Sequence, residues 1–277
     1  MMMSPRAIVP AAVAVAFPMN LIFTGARFAA LSCVIPTTRL VCKSNVAKTT
    51  LSSLFGSMTT AEPATNSAAD QAEAAWEYAR SVQWFMDPIF KGHYPQIALD
   101  RMDLSRFEVR AGDMEIIHQP LDFLGVNYYF RAYVSTEQPP RQPEAKLGVT
   151  DMGWEIYPQG FTHLLIGIHR EYKAHGLPPI YITENGVAVA DKLSNTGVRD
   201  AARIDYLHRH LEAVAIAIAE GVDIRGYFYW SLLDNFEWNS GYLRRFGLVY
   251  VDYPTQQRVW KDSAYWYRDW VKAARKI

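Results

Sequence analysis

The chain has 277 residues, half of them hydrophobic and 13% aromatic, and its 28 basic residues are balanced by 28 acidic ones. That length allows a large domain with a sizeable core, and zero net charge argues against a nucleic-acid binder driven by phosphate neutralisation. Both cysteines, Cys33 and Cys42, lie near the start, so the remainder can hold neither a disulfide framework nor a thiolate metal site.

Composition changes near Thr60. Residues 1–61 contain no Asp or Glu, are rich in Ser, Thr and Ala, and include the apolar run Ala7 to Phe17. That run is too short to span a bilayer and is broken by Pro10. Two readings stay open: a targeting peptide, or unrelated sequence joined to a truncated chain. On either, residues 1–61 are expected outside the fold and residues 62–277 inside it. The first implies an organellar or secreted protein and the second a cytoplasmic one; no membrane association is expected on either.

Regular patterning begins at Ser67. "SAAD" reads as a capping box in which Ser67 caps and Asp70 reaches back, opening a helix that ends before Asp87-Pro88. "PLDFLGVNYY" contains a strand-like run, Leu121 to Val126, ending on Asn127. A helix over Phe161–His175 follows, with Leu164, Leu165, Ile168 and Tyr172 on one face and Gly176 as its stop. "IYIT" reads as a second strand, and Asp200 caps a helix that runs to Gly221. "IRGYFYW", Ile224 to Trp230, is a third strand, and a last helix begins near Asp262. Alternating strands and helices imply a parallel sheet covered by helices. In such sheets the working residues sit at the C-terminal strand ends, where Asn127, Glu184 and Trp230 fall.

Glu184 stands beside Asn185-Gly186, which alone reads as solvated turn chemistry. Further on, Glu237 lies between Phe236 and Trp238. Indole planes beside a carboxylate suit a pyranose, which stacks on the rings while the acid accepts bonds from its hydroxyls. Trp266, Tyr267 and Trp270 read as packed core.

The stretches "GVNYY", "YITENG", "GYFYWSLLDNFEW" and "RFGLVYVDY", in that order, strongly resemble the family-1 glycoside hydrolases, the β-glucosidase group. The resemblance runs from about Pro63 to Trp270 and implies an α/β fold: a partial (β/α)8 TIM barrel, its C-terminal half with strands six to eight. It further implies a retaining β-glycosidase acting on a β-glucoside or related oligosaccharide, with no metal or organic cofactor. Glu184 corresponds to the nucleophile and Tyr129 to the residue that orients it. Asn127, Trp230, Glu237, Trp238 and Phe246 correspond to sugar-binding positions.

A retaining mechanism needs a second carboxyl group as acid and base. The family carries it in Asn-Glu-Pro after the fourth strand, and this sequence has no Asn-Glu-Pro. Its one Glu-Pro, Glu62-Pro63, lacks the Asn, follows no hydrophobic strand and precedes a segment resembling the one after the fifth strand. The chain is therefore expected to carry the attacking half of the site without the protonating half. The alternatives are a non-catalytic sugar-binding module and one half of a split enzyme whose partner chain supplies the missing barrel half.

Overall fold

The computed structural model describes residues 58–105 and 107–274. Its centre is a three-stranded parallel sheet ordered β2–β4–β5, built from β2 (Leu124–Asn127), β4 (Ile180–Asn185) and β5 (Ile224–Tyr229). These are the three expected strands. A short parallel pair joins β1 (Ala61–Pro63) to β3 (Ala132–Val134). An antiparallel hairpin of β6 (Val249–Asp252) and β7 (Gln257–Trp260) follows β5.

Between strands run α5 (Pro158–Tyr172) and α6 (Ala201–Ala219), and α7 (Asp262–Ala274) ends the described chain. α5 packs on α6, and α6 on α7. The apolar spacing read from the sequence is the packing face. Leu164, Leu165, Ile168 and Tyr172 of α5 and Leu207, Leu211 and Val214 of α6 join Leu124, Val126, Ile180 and Ile182 of the sheet in one buried cluster. Trp266, Tyr267 and Trp270 pack against the same cluster, as expected of core aromatics. Gly176, at φ +82°, takes the left-handed conformation that stops the short turn after α5.

Several expectations need correction. The first helix does not stop at Asp87-Pro88: α1 (Ala68–Tyr78), a π-turn (Ala79–Gln83) and α2 (Trp84–Phe90) run on with Pro88 inside. Tertiary anchoring overrides the proline, because the buried Asp87 carboxylate accepts from Tyr172 Oη at 2.7 Å and pairs with Lys91 at 2.8 Å. Two short helices, α3 (Gln96–Arg101) and α4 (Asp113–Ile117), and the β6–β7 hairpin had no counterpart in the sequence reading.

Ser67 does cap α1, accepting from the Asp70 N–H at 3.1 Å, but Asp70 does not reach back. Its oxygens instead take Thr65 Oγ1 at 2.6 Å and the N–H and hydroxyl of Thr136 at 2.7 and 2.6 Å, tying the helix start to the segment after β3. Asp200 precedes α6 without a side-chain capping bond; it pairs with Arg203 and accepts from the Ser263 N–H at 2.8 Å. Met58 to Ala61, expected outside the fold, lie against it. The Met58 N–H donates to the Asn127 carbonyl at 3.0 Å, and the Ala132 N–H to that of Thr60 at 2.8 Å. The rest of residues 1–57 lies outside the described residues. No helix among the described residues is long and apolar enough to cross a membrane.

His210, on the buried side of α6, stacks on Tyr206 at 3.8 Å, with Nδ1 2.8 Å from the Tyr206 carbonyl. Burial pushes its pKa down to about 4, so it is neutral in the fold. The unfolded chain takes up a proton near pH 6.5 and the native chain does not. Stability should therefore fall as pH drops from about 6.5 towards 4. Urea titrations across that window should show the slope, reduced in His210→Phe; an unchanged slope in the variant would assign it to other groups.

Candidate active site

The C-terminal ends of the three parallel strands bring the site together. Pairing of β2 with β4 is regular to Val126↔Ile182, then shifts so that Asn127 lies opposite Glu184. Such irregularities at strand ends re-aim side chains. Tyr129, just past β2, donates its hydroxyl to Glu184 Oε2 at 2.8 Å. Asn127 accepts from Thr183 Oγ1 at 2.6 Å and also hydrogen-bonds Glu184.

Asn185 is core, not part of a solvated turn. It is the last residue of β4 and wholly buried, donating to the Tyr128 carbonyl at 2.7 Å and to Tyr206 Oη at 3.0 Å. Its Oδ1 accepts from Tyr227 Oη at 2.7 Å. All three side-chain bonds go to protein groups, so the backbone beneath Glu184 is pinned. Gly186 serves close approach: a Cβ there would stand 1.8 Å from the Trp230 carbonyl oxygen. That contact brings the end of β5 across the end of β4, where the Trp230 N–H donates to the Asn185 carbonyl at 3.0 Å.

Phe246, Tyr129 and Ala188 form a second small buried cluster beside Glu184, with Trp230 and Trp154 packed against it. Trp154 escaped the sequence reading. Its ring centroid lies 5.5 Å from that of Tyr129 and 5.1 Å from that of Phe130. It sits in a long aperiodic loop after a left-handed Gly153, with no local pattern to mark it. Glu237 and Trp238 lie on the connection after β5. Glu237 is half-buried, and Trp238 is 76% exposed. The structure thus groups Asn127, Tyr129, Glu184, Trp230 and Phe246, with Glu237 near enough for its charge to act on both Glu184 and Tyr129.

Electrostatics at this point are opposed. Burial pushes the Glu184 carboxyl above its ordinary range, the bonds from Tyr129 and Asn127 pull it back, and the Glu237 charge raises it further. Burial also raises Glu237, against a hydrogen bond from the Trp230 side chain. The Tyr129 phenol is held far above its usual range, first by burial and then by the Glu184 charge, so it remains a donor. No group of three His, Cys, Asp or Glu among the described residues could hold a metal ion.

Glu62, set aside as a chance match, does lie on a strand, β1. Its carboxylate is engaged by Arg131 Nη1 at 2.5 Å and His163 Nδ1 at 2.9 Å. Arg131 also reaches Glu155 at 2.8 Å and lies over the Tyr157 ring at 3.6 Å. Glu62 is thus part of an ion-paired cluster.

The model of glycosyl hydrolase family 1 matches residues 37–276. The chain belongs to this family. Beta-glucosidase A of Thermotoga maritima is 46% identical over 195 residues, an alignment covering 68% of this chain and 43% of that protein. The 1,4-beta-D-glucan glucohydrolase of Thermotoga neapolitana is 47% identical over the same length, with 43% of it covered. The family-1 beta-glucosidase structure from Exiguobacterium antarcticum B7 superposes with a TM-score of 0.71 at 40% identity, covering 79% of this chain and 50% of that one. The chain therefore spans about half the length of the relatives it matches. The family fold is a (β/α)8 barrel.

Two measurements check the geometry. Glu184 binds its proton more tightly folded than unfolded, so its contribution to stability declines as pH rises through that interval. Glu184→Gln should raise Tm near neutral pH, with the gain vanishing below the ordinary carboxylate range; no gain at pH 7 would contradict the buried, raised carboxyl. Gly186→Ala should destabilise by about 1–3 kcal/mol through overpacking against Trp230, read from urea midpoints.

Proposed function

We propose that Glu184 is the nucleophile of a retaining β-glycosidase site and that residues 62–277 form the C-terminal half of the barrel, strands six to eight, with residues 1–61 largely outside it. The observation that carries the first part is the 2.8 Å bond from Tyr129 to a half-buried carboxylate at a parallel strand end. Tyr129 keeps one oxygen of Glu184 fixed and favours its ionised form, as an attacking group requires. That carboxylate attacks the anomeric carbon, the glycosidic oxygen leaves, and water later releases the sugar.

Asn127, Trp230, Glu237, Trp238 and Phe246 hold the sugar. Trp230 and Trp238 offer indole faces for stacking, and Glu237 accepts bonds from its hydroxyls. A β-glucoside is the preferred substrate class, after the relatives named beta-glucosidase. Others in the family are named for fucoside or phosphogalactoside activity, which sets the range.

The acid/base partner has no counterpart in the sequence, since Glu62 is engaged by Arg131 and His163. Chemistry here should therefore depend on the leaving group. An activated aryl group departs without protonation, whereas an alkoxide needs a proton, and losing a general acid costs about 10²–10⁴ in rate. A second reading, a non-catalytic sugar-binding module, takes its support from the same missing acid and from the exposed Trp238; a split enzyme would need a partner chain to restore turnover.

A dinitrophenyl 2-fluoroglucoside separates these readings. Peptide mass spectrometry should find the label on Glu184, abolished in Glu184→Gln and slowed about ten- to a hundredfold in Tyr129→Phe, in line with the loss of a charge-assisted hydrogen bond. Labelling elsewhere sinks the nucleophile assignment. Cellobiose hydrolysis as fast as that of an activated aryl glucoside would show that an acid is present after all. Glucose binding by calorimetry with no labelling would favour the binding module.

A further inference from the structure

The connection from Ser231 to Gly247 carries Glu237 and Trp238, yet its tip has little apolar anchorage: Phe236, Trp238 and Leu243 are all exposed. Around Glu237 the backbone bonds are local, from the Glu237 N–H to the Gly241 carbonyl at 2.7 Å and from the Ser240 N–H to the Glu237 carbonyl at 2.8 Å. The base of the arm is held differently. Asp234 is buried, and its Oδ1 accepts from the Gly247 N–H at 3.0 Å and Lys261 Nζ at 2.8 Å. Its Oδ2 accepts from Arg245 Nη1 at 2.5 Å and the Val251 N–H at 3.3 Å. A Cβ on residue 247 would lie 2.1 Å from the Asp234 nitrogen, so this closure requires Gly247.

The same cations reach the segment that leaves Glu184. Lys261 Nζ also donates to Asp191 at 2.5 Å, and Asp191 pairs with Arg203 at 2.7 Å. Arg203 Nη2 and the Val189 N–H both donate to the Arg245 carbonyl, at 2.8 and 3.2 Å. The side chains of Asp191, Arg203, Asp234 and Lys261 are wholly buried.

We propose that Asp234 is a positioning residue whose carboxylate, clamped by Lys261 and Arg245, fixes the arm bearing Glu237 and Trp238 relative to the strand end bearing Glu184. A packing role alone would leave the two segments joined only loosely, by the Val189–Arg245 backbone bond; the shared cations Lys261 and Arg203 make them move as one. The link to sugar binding rests on the reading of Glu237 given above.

Hydrogen–deuterium exchange and D-glucose calorimetry on the full chain test it. In Asp234→Asn, and in Arg245→Ala, exchange should rise about tenfold or more in both 187–199 and 231–247 while β2 stays protected, the scale expected for loss of a charge-assisted bond. Arg245→Lys, which keeps the charge, should restore most of the protection, and the Arg245 pair carries the test if Asp234→Asn does not fold. Glucose affinity should fall in Asp234→Asn but show no further loss when Glu237→Gln is already present. Exchange changes confined to 231–251, or an equal loss of affinity in both backgrounds, overturn the proposal. If Glu237→Gln alone leaves glucose binding unchanged, the sugar role of Glu237 fails, and the exchange data still decide the coupling.

Discussion

The rim of this parallel sheet depends on charge sealed away from water. Asp191, Asp200 and Asp234 meet Arg203, Lys261 and Arg245 in one connected set, with backbone N–H groups on Asp200 and Asp234 taking further lone pairs. Taking such ions out of water costs several kcal/mol each, and only near-complete pairing offsets it. Equal numbers of each sign leave the set neutral. Because each cation serves partners on separate segments, the start of α6, the start of α7 and the connections after β4 and β5 hold one mutual arrangement. Displacing any of them strands a charge, which makes the arrangement far more specific than apolar contact between loops would.

The strand ends hold Glu184 half-buried and hydrogen-bonded. Two effects of opposite sign meet on it: removal from water favours the protonated form, and donors at Tyr129 and Asn127 favour the ionised one. The donors are themselves fixed. Tyr129 is wedged between Trp154 and Phe246, and Asn127 is held by Thr183. Asn185 below and the close pass of Trp230 over Gly186 set the height of the strand end. Little of the local geometry is left to rotamer choice.

Much of this was legible in the sequence, and the division follows range. The three central strands and the helices α5, α6 and α7 declare themselves because β-branched runs and helical apolar spacing are local signals, and burial follows them directly. The strand-end residues Asn127, Glu184 and Trp230 follow from where those runs stop. What was missed is through-space. Pro88 reads as a stop until Tyr172, far along the chain, is seen holding Asp87. Asp200 and Asp70 look like caps, but distant Ser263 and Thr136 claim them. Asn185 beside Gly186 has the form of a turn, and only the tyrosines of β5 and α6 show that it is core. Asp234 carries no pattern of its own, and its four donors come from Arg245, Gly247, Val251 and Lys261.

The ion network closes entirely among residues that follow β4, and the groups that bond the Glu184 side chain come from β2 and from Tyr129 just beyond it. The base of the arm also draws on the β6–β7 hairpin, through the Val251 N–H on Asp234 Oδ2 at 3.3 Å. The geometry around Glu184 and the arm is thus a local property of three strand–helix units and their rim. In a retaining mechanism the leaving oxygen is protonated by a second carboxyl group about 5–5.5 Å from the first, flanking the same bond. On the proposed reading of Glu184, the attacking wall is the part that these three units build from within.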